Sequence, residues 1–186
     1  MRSLVVFLVL STASAVAQFG IPTQLPHVTS DAEVRNKVGQ YVRLDYQGAR
    51  LTDQDWPKLK PIVNWTANPE YPLIDVVSRY DIETTATQKG SKWYINVTYH
   101  LLGRFNVGQG YSTEPSGSDK QVEFTVENLN GDLKVVNIDP NFPHPSRAAM
   151  LKWLENKQAS ADAATKIIYD QAIKDLSAQS ASPFAK

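Results

Sequence analysis

The feature that most constrains the fold is the alternation of apolar and polar residues over positions 92–105. Successive side chains of an extended strand point to opposite faces, so this alternation separates an apolar face from a polar face. The apolar face consists of Trp93, Ile95, Val97, Tyr99 and Leu101, and the polar face of Tyr94, Asn96, Thr98, His100 and Arg104. A two-residue period is typical of an antiparallel sheet with one covered face and one wetter face.

Three further segments have strand patterns, namely residues 74–87, 120–128 and 133–138. Turn-forming residues occupy positions 88–91 and 130–132, and they predict hairpins between the first and second strands and between the third and fourth. The sequence therefore predicts a four-stranded antiparallel sheet.

The end of the second strand and the connection that follows it have a different composition. Gly103 predicts a bulge that bends the sheet. Residues 106–119 contain three glycines and three serines, which predicts a long mobile loop. We expect this loop to lie over a pocket or to reach a partner, unless it is simply disordered.

Two helices are predicted before the sheet. Ser30 and Glu33 have the spacing of a capping box, and an apolar stripe follows over residues 31–47. Asp55 is the predicted N-cap of the second helix, whose apolar face carries Trp56, Leu59, Ile62 and Val63. We expect both helices to cover the apolar face of the sheet, which gives an α+β fold with N-terminal helices packed on a curved sheet.

An additional helical segment is predicted over residues 146–179, and it forms either one helix or two with a break near 156–160. Its small-sided face, with Ala161, Ala164, Ile168 and Ala172, is suited to close packing on a neighbour. That neighbour is either the sheet of the same chain or a second subunit, so a homodimer remains an open alternative. The single domain is expected to span residues 31–180, followed by a tail at 181–186.

The first seventeen residues have the pattern of a signal peptide. Arg2 precedes an apolar run at positions 4–10, and Ala15-Val16-Ala17 forms a cleavage motif. We expect cleavage after Ala17, an extended leader over residues 18–30, and a periplasmic or secreted protein without a membrane anchor. The apolar run is too short to span a bilayer.

Composition excludes several classes of site. The chain has no cysteine, which removes disulfides, thiolate zinc sites and cysteine nucleophiles. Its 19 basic and 19 acidic residues form no basic block, so no nucleic-acid partner is expected. No phosphate-binding loop or metal-binding motif occurs, and we expect neither a cofactor nor a metal.

The order of helix, helix, four antiparallel strands and helix, with a tyrosine-rich first helix and a tryptophan in the second, resembles the nuclear transport factor 2-like and SnoaL-like superfamily over about residues 31–140. The resemblance implies helices packed into a strongly curved sheet around a cone-shaped pocket. Proteins of this kind include isomerases, dehydratases and epoxide hydrolases that place an Asp or a His in the cone. The long C-terminal helical segment departs from the minimal pattern.

Candidate site residues follow from the strands. His100 is the histidine predicted on a strand, and Asp81, Glu83 or Glu123 could orient it for acid/base chemistry. His27 and His144 are predicted to be surface residues. The aromatic residues that could line a pocket for a small apolar ligand are Tyr80, Trp93, Tyr99 and Phe124.

Two functions compete on these grounds. A non-catalytic small-molecule-binding or interaction module of the cell envelope is favoured, because no polar constellation interrupts the apolar face. The alternative is a SnoaL-like lyase, isomerase or hydrolase that acts by acid/base chemistry on an apolar small molecule. The position of His100, in a cavity or in open solvent, discriminates between them.

Overall fold

A computed structural model describes residues 28–137 and 142–179. The predicted signal peptide, most of the leader and the tail lie outside the described residues, as does His27. Within them the chain is an α+β protein, in which helices pack against a curled antiparallel sheet that forms a half-barrel.

Helix α1 spans Asp31–Tyr46 and confirms the first predicted helix. The capping box is present, because the Ser30 side chain accepts from the backbone N–H of Glu33 while the Glu33 side chain accepts from the backbone N–H of Ser30. These bonds satisfy N–H groups that have no partner within the helix. The apolar stripe of α1 is buried against the sheet through Val34, Val38, Tyr41 and Val42.

The second predicted helix is wrong in its extent. Only Trp56–Lys58 form a helix, a single 3-10 turn, and the Asp55 side chain makes no capping hydrogen bond. Pro61 explains the difference, because it follows the first turn and lacks the N–H that would continue the helix, whereas Pro57 lies within the first turn, where proline is tolerated. The predicted apolar face is nevertheless buried, and it consists of Trp56, Leu59, Ile62 and Val63.

The sheet contains six antiparallel strands: β1 (Leu73–Ile82), β2 (Thr87–Lys89), β3 (Lys92–Asn106), β4 (Gly110–Thr113), β5 (Asp119–Leu129) and β6 (Asp132–Val135). The spatial order is β1-β3-β5-β6, and β2 and β4 each pair with part of β3. The predicted hairpins are present at both tight turns. The face covered by α1 is called the concave face below, and the opposite one the outer face.

The prediction of a long mobile loop over residues 106–119 is wrong. β4 lies within this segment and pairs with the end of β3, so the segment is largely a second hairpin. Gly103 allows the close approach, since a Cβ there would lie 2.3 Å from Tyr111 Oη and 2.4 Å from the Ser112 carbonyl oxygen.

A bulge also changes which side chains share a face. Val76 pairs with Gly103 and Val77 pairs with Leu101, so Leu102 is an extra residue in β3. An extra residue reverses the side-chain alternation beyond it. Arg104 was predicted beside His100 on the polar face, but it instead pairs with Asp75 and bonds to the Asp75 carboxylate.

The C-terminal segment forms two helices, α2 (Arg147–Gln158) and α3 (Ala163–Ala178), capped by Ser146 and Asp162. They cover their own sheet, because a second apolar core joins them to the ends of β1 and β3 through residues that include Ile74, Phe105, Met150, Trp153 and Leu176. The first core lies between α1, the 3-10 helix and the concave face. Among the described residues, no helix combines the length and apolar character needed to cross a membrane.

Candidate functional site

His100 lies on the outer face of β3 between two carboxylates. Its Nε2 atom is 2.7 Å from Asp81 Oδ2 on β1, and its Nδ1 atom is 2.6 Å from Asp119 Oδ1 on β5. Of the three predicted partners, Asp81 therefore meets His100. Glu83 instead accepts from the Asn96 amide at 3.0 Å, and Glu123 lies opposite Asn96 in the strand register.

Asp119 was missed because its position depends on register. It lies opposite His100 across the β3–β5 pair. The register of that pair depends on the β3–β4 hairpin, which the sequence pattern does not predict. A neutral imidazole has one donor and one acceptor, whereas a doubly protonated ring can donate to both neighbouring carboxylates. Asp81 and Asp119 are 61% and 48% exposed, so this group of three side chains is open to water.

The four aromatic candidates lie in different surroundings. Tyr99 and Phe124 are fully buried, and the Phe124 ring packs 5.4 Å from that of Tyr41 on α1. Tyr80 packs edge-on against Tyr46, while Trp93 is half-buried at the margin of the first core. These side chains contribute to the core, and their contact with a ligand stays a prediction.

The prediction that His144 is a surface residue is wrong, since its side chain is 2% exposed. It belongs to residues 142–146, called the strap below, which run alongside β1. The carbonyl oxygens of Pro143 and Pro145 accept from the backbone N–H groups of Asp75 and Val77, both at 3.0 Å. The two prolines have no N–H of their own, so they suit an edge segment that only accepts from the sheet.

Contacts with Tyr99 and Asp45 hold the His144 side chain in the interior, and the Asp75 carboxylate lies beyond hydrogen-bond distance from the ring. The imidazole stacks on the Tyr99 ring with centroids 3.9 Å apart and planes 8° from parallel. Asp45 Oδ2, near the end of α1, accepts from the His144 backbone N–H at 3.1 Å and lies 3.3 Å from Nδ1. His144 Nε2 is 3.9 Å from Asp75 Oδ2.

Asp75 is fully buried and is flanked by two cations. Its oxygens accept from Arg104 Nε at 2.7 Å and from Lys120 Nζ at 2.8 Å. Burial alone would raise the pKa of Asp75, but the hydrogen bonds from Arg104 and Lys120 outweigh burial and hold that pKa below its ordinary value. Asp75 is therefore an ionised carboxylate at neutral pH.

A third cation, Arg50, completes this group, and its side chain is fully buried, unlike those of Arg104 and Lys120. Arg50 donates from its NH1 group to Tyr41 Oη at 3.3 Å and to the Phe142 carbonyl oxygen at 3.0 Å. Burial raises the pKa of Tyr41, so the phenol stays protonated. The six charged or titratable side chains are called the junction cluster below: Asp45, Arg50, Asp75, Arg104, Lys120 and His144.

The structure also has open clefts. One of about 450 Å³, called the Tyr71 cleft below, lies where two loops meet α2 and is lined by Leu51, Thr52, Asp53, Asn68, Pro69, Glu70, Tyr71 and Lys157. A smaller one of about 240 Å³ lies between α1 and the β5–β6 turn. Neither is lined by His100 or by the four aromatic candidates.

The described part of the chain contains no group of three side chains placed to hold a metal ion. Comparison with family models, with curated proteins and with solved structures gave no match for this chain.

Proposed function

We propose that this protein is an exported, non-catalytic module of the cell envelope that binds a small molecule in the Tyr71 cleft. The observation that carries the proposal is the packing of the concave face. Aromatic rings fill the space between helix and sheet, and they include Tyr41 of α1, Trp56 of the 3-10 helix, Trp65 of the following loop and Phe124 of β5. A ligand must then bind elsewhere.

The Tyr71 cleft has the size and the composition for such a ligand. Small-molecule sites typically measure about 300–1,000 Å³ and combine apolar walls with a few polar groups. Leu51, Pro69 and Tyr71 offer apolar surface, while Asp53 and Lys157 offer hydrogen-bonding groups at the rim. The Tyr71 side chain is fixed, because its hydroxyl donates to the Arg50 carbonyl oxygen at 2.8 Å. A fixed aromatic wall lowers the entropic cost of binding.

The test uses an amphipathic fluorescent probe, anilinonaphthalene sulfonate, at neutral pH. We expect saturable binding, with amide chemical-shift changes confined to the cleft. Glu70→Trp places a bulky ring in the cleft and should weaken binding about tenfold, which corresponds to about 1.4 kcal/mol. Glu123→Trp, on the outer face of β5 and outside the cleft, is the matched control and should leave binding unchanged. Equal effects of the two substitutions, or no saturable binding, would refute the assignment of this cleft.

Export is part of the proposal and has its own test. The motivation is the Arg2, apolar-run and Ala15-Val16-Ala17 pattern, which fits a cleaved signal peptide. N-terminal sequencing of the protein recovered from the envelope fraction should begin at Gln18. A chain that retains Met1 contradicts export by this route.

The acid/base alternative rests on one observation, the two carboxylates against His100. In a general base one ring nitrogen is oriented by a carboxylate and the other is free to take the proton. Here a carboxylate lies on each nitrogen and the group is open to water, which favours the non-catalytic function. The wider resemblance to nuclear transport factor 2-like and SnoaL-like proteins is also a proposal and supports the acid/base alternative. If the protein is such an enzyme, His100→Ala removes turnover of an apolar substrate but leaves probe binding in the Tyr71 cleft intact.

A further inference from the structure

The junction cluster lies between the two apolar cores. The first core holds α1 to the concave face, and the second holds α2 and α3 to the ends of β1 and β3. No residue belongs to both cores among those described. The strap leads directly into α2 through Ser146, so the contacts of the strap connect one half of the molecule with the other.

Charged and titratable groups face the strap from every element packed against it. α1 contributes Tyr41 and Asp45, and Arg50 follows that helix. The three strands contribute Asp75 (β1), Tyr99 and Arg104 (β3) and Lys120 (β5). His144 is the strap's own titratable group.

The Asp45 carboxylate binds the strap directly, whereas Asp75 binds the strap through its backbone N–H and places its carboxylate beside it. Asp45 binds both the backbone N–H and the ring of His144. Asp75 donates its backbone N–H to the Pro143 carbonyl oxygen, and its side chain neutralises Arg104 and Lys120 next to the strap. If Asp75 becomes neutral, the two cations lose the buried counter-ion that offsets their desolvation.

We propose that the junction cluster is an acid-sensitive fastening, and that acidification releases the strap from β1 and α1 before the half-barrel itself unfolds. Apolar burial maintains each core separately, and it does not depend on pH. The strap lies beside the buried Asp75 carboxylate and the two cations bonded to it, and Lys120 also lies over the Phe142 ring of the strap, so acid acts first on the strap.

The direction follows from the Asp75 carboxyl. Its pKa is lower in the folded protein than the ordinary value of 3.8, so its stabilising effect is fully present above that value. The effect is lost as the pH falls from that value through the lower pKa of the folded protein. We therefore expect strap release below about pH 4.

Amide hydrogen exchange followed by NMR tests the proposal on the intact mature protein. The N–H groups of Asp75, Val77 and Ser146 report on the strap, because they bond to Pro143, Pro145 and Tyr46. Those of Val135 and Val136 report on the half-barrel, because they bond within and beside the sheet. Between about pH 6 and about pH 3, protection of the strap amides should fall several-fold relative to protection of the half-barrel amides, up to the roughly sevenfold loss that one carboxyl with an ordinary pKa of 3.8 can produce at pH 3.

Two variants separate the cause from general acid effects. Asp75→Asn cannot ionise, so its strap amides should already be poorly protected at neutral pH and should change little with acid. Asp81→Asn removes an exposed carboxylate beside His100 and should keep the wild-type response. If Asp75→Asn does not fold, the ratio of strap to half-barrel protection in the wild type decides alone. Strap and half-barrel amides that lose protection together at every pH overturn the proposal, as does a wild-type acid response in Asp75→Asn.

Discussion

Replacing His144 by alanine tests the central feature of this structure, a buried imidazole in a position that looks exposed from the sequence. The substitution removes a side chain that is 2% exposed. It removes the ring that stacks on Tyr99, with centroids 3.9 Å apart, and it removes the Nδ1 atom that hydrogen-bonds to Asp45. The backbone N–H of residue 144 still donates to Asp45, so the buried carboxyl group loses one of these two hydrogen bonds and keeps the other.

The magnitude follows from these losses. A hydrogen bond to a charged group contributes about 1.5–3 kcal/mol, and a stacked ring pair adds about 0.5–1.5 kcal/mol beyond the area that it buries. Replacing a buried aromatic ring by alanine costs about 3–5 kcal/mol in total, because a cavity is left behind. Since one hydrogen bond to Asp45 survives, we expect His144→Ala to lower the free energy of unfolding by about 3–4 kcal/mol.

Urea denaturation at pH 7, followed by tryptophan fluorescence, measures this loss. With a denaturant slope of about 2 kcal/mol/M, the midpoint should fall by roughly 1.5–2 M. His100→Ala is the matched control, because its carboxylate partners are largely exposed and such pairs contribute about 0–1 kcal/mol. A loss below about 1 kcal/mol for His144→Ala, or equal losses for the two variants, would refute the buried placement of His144.

Two further perturbations test the sheet and the C-terminal helices. Gly103→Ala should destabilise the protein by about 1–3 kcal/mol, because its Cβ would lie 2.3 Å from the Tyr111 hydroxyl of β4. Gly39→Ala within α1 is the control: its Cβ meets nothing nearer than 3.7 Å, so it should stabilise the protein by up to about 1 kcal/mol. Thermal unfolding that ranks the two variants in the opposite order contradicts the close β3–β4 approach. Truncation before Ser160 removes α3 and should lower Tm without changing the subunit count measured by light scattering, because α3 covers the second core of its own chain; a dimer that becomes a monomer on truncation would assign α3 to a subunit interface.

The elements that could be predicted from the sequence are those determined by near neighbours. The Ser30 and Glu33 capping box needs only a three-residue spacing, and α1 begins where that spacing places it. β3 and β5 follow from two-residue alternation, and their bounds differ from the predicted ones by a single residue at three of the four ends. The residues after Asp55 have the apolar spacing of an α-helix, which predicts a longer helix than the 3-10 turn at Trp56, while Pro61 limits the helix to that turn.

The junction cluster could not be predicted, because its contacts are long-range. His144 binds Asp45 across 99 positions of the chain, and no local pattern relates the two. Two flanking prolines made His144 resemble a surface turn, but they form a strap that accepts hydrogen bonds from β1. The prediction that Arg104 shares a face with His100 is wrong, because the extra residue Leu102 reverses the alternation of side chains. Gly103 predicts a bulge, but it does not show which residue is the extra one.

The last prediction separates stability from acid sensitivity in the junction cluster. Buried ion pairs are often no more stabilising than apolar residues of similar volume. The triple variant Asp75→Leu, Arg104→Met, Lys120→Met removes one negative and two positive charges and leaves no member of this trio unpaired. We expect its free energy of unfolding at pH 7 to be within about 2 kcal/mol of the wild type or above it.

Acid should then distinguish the triple variant from the wild type. Its strap amides should keep their protection relative to the half-barrel amides as the pH falls, because no carboxylate at position 75 remains to be protonated. A triple variant that folds at pH 7 but releases its strap in acid as readily as the wild type would show that Asp75 is not the group through which acid acts.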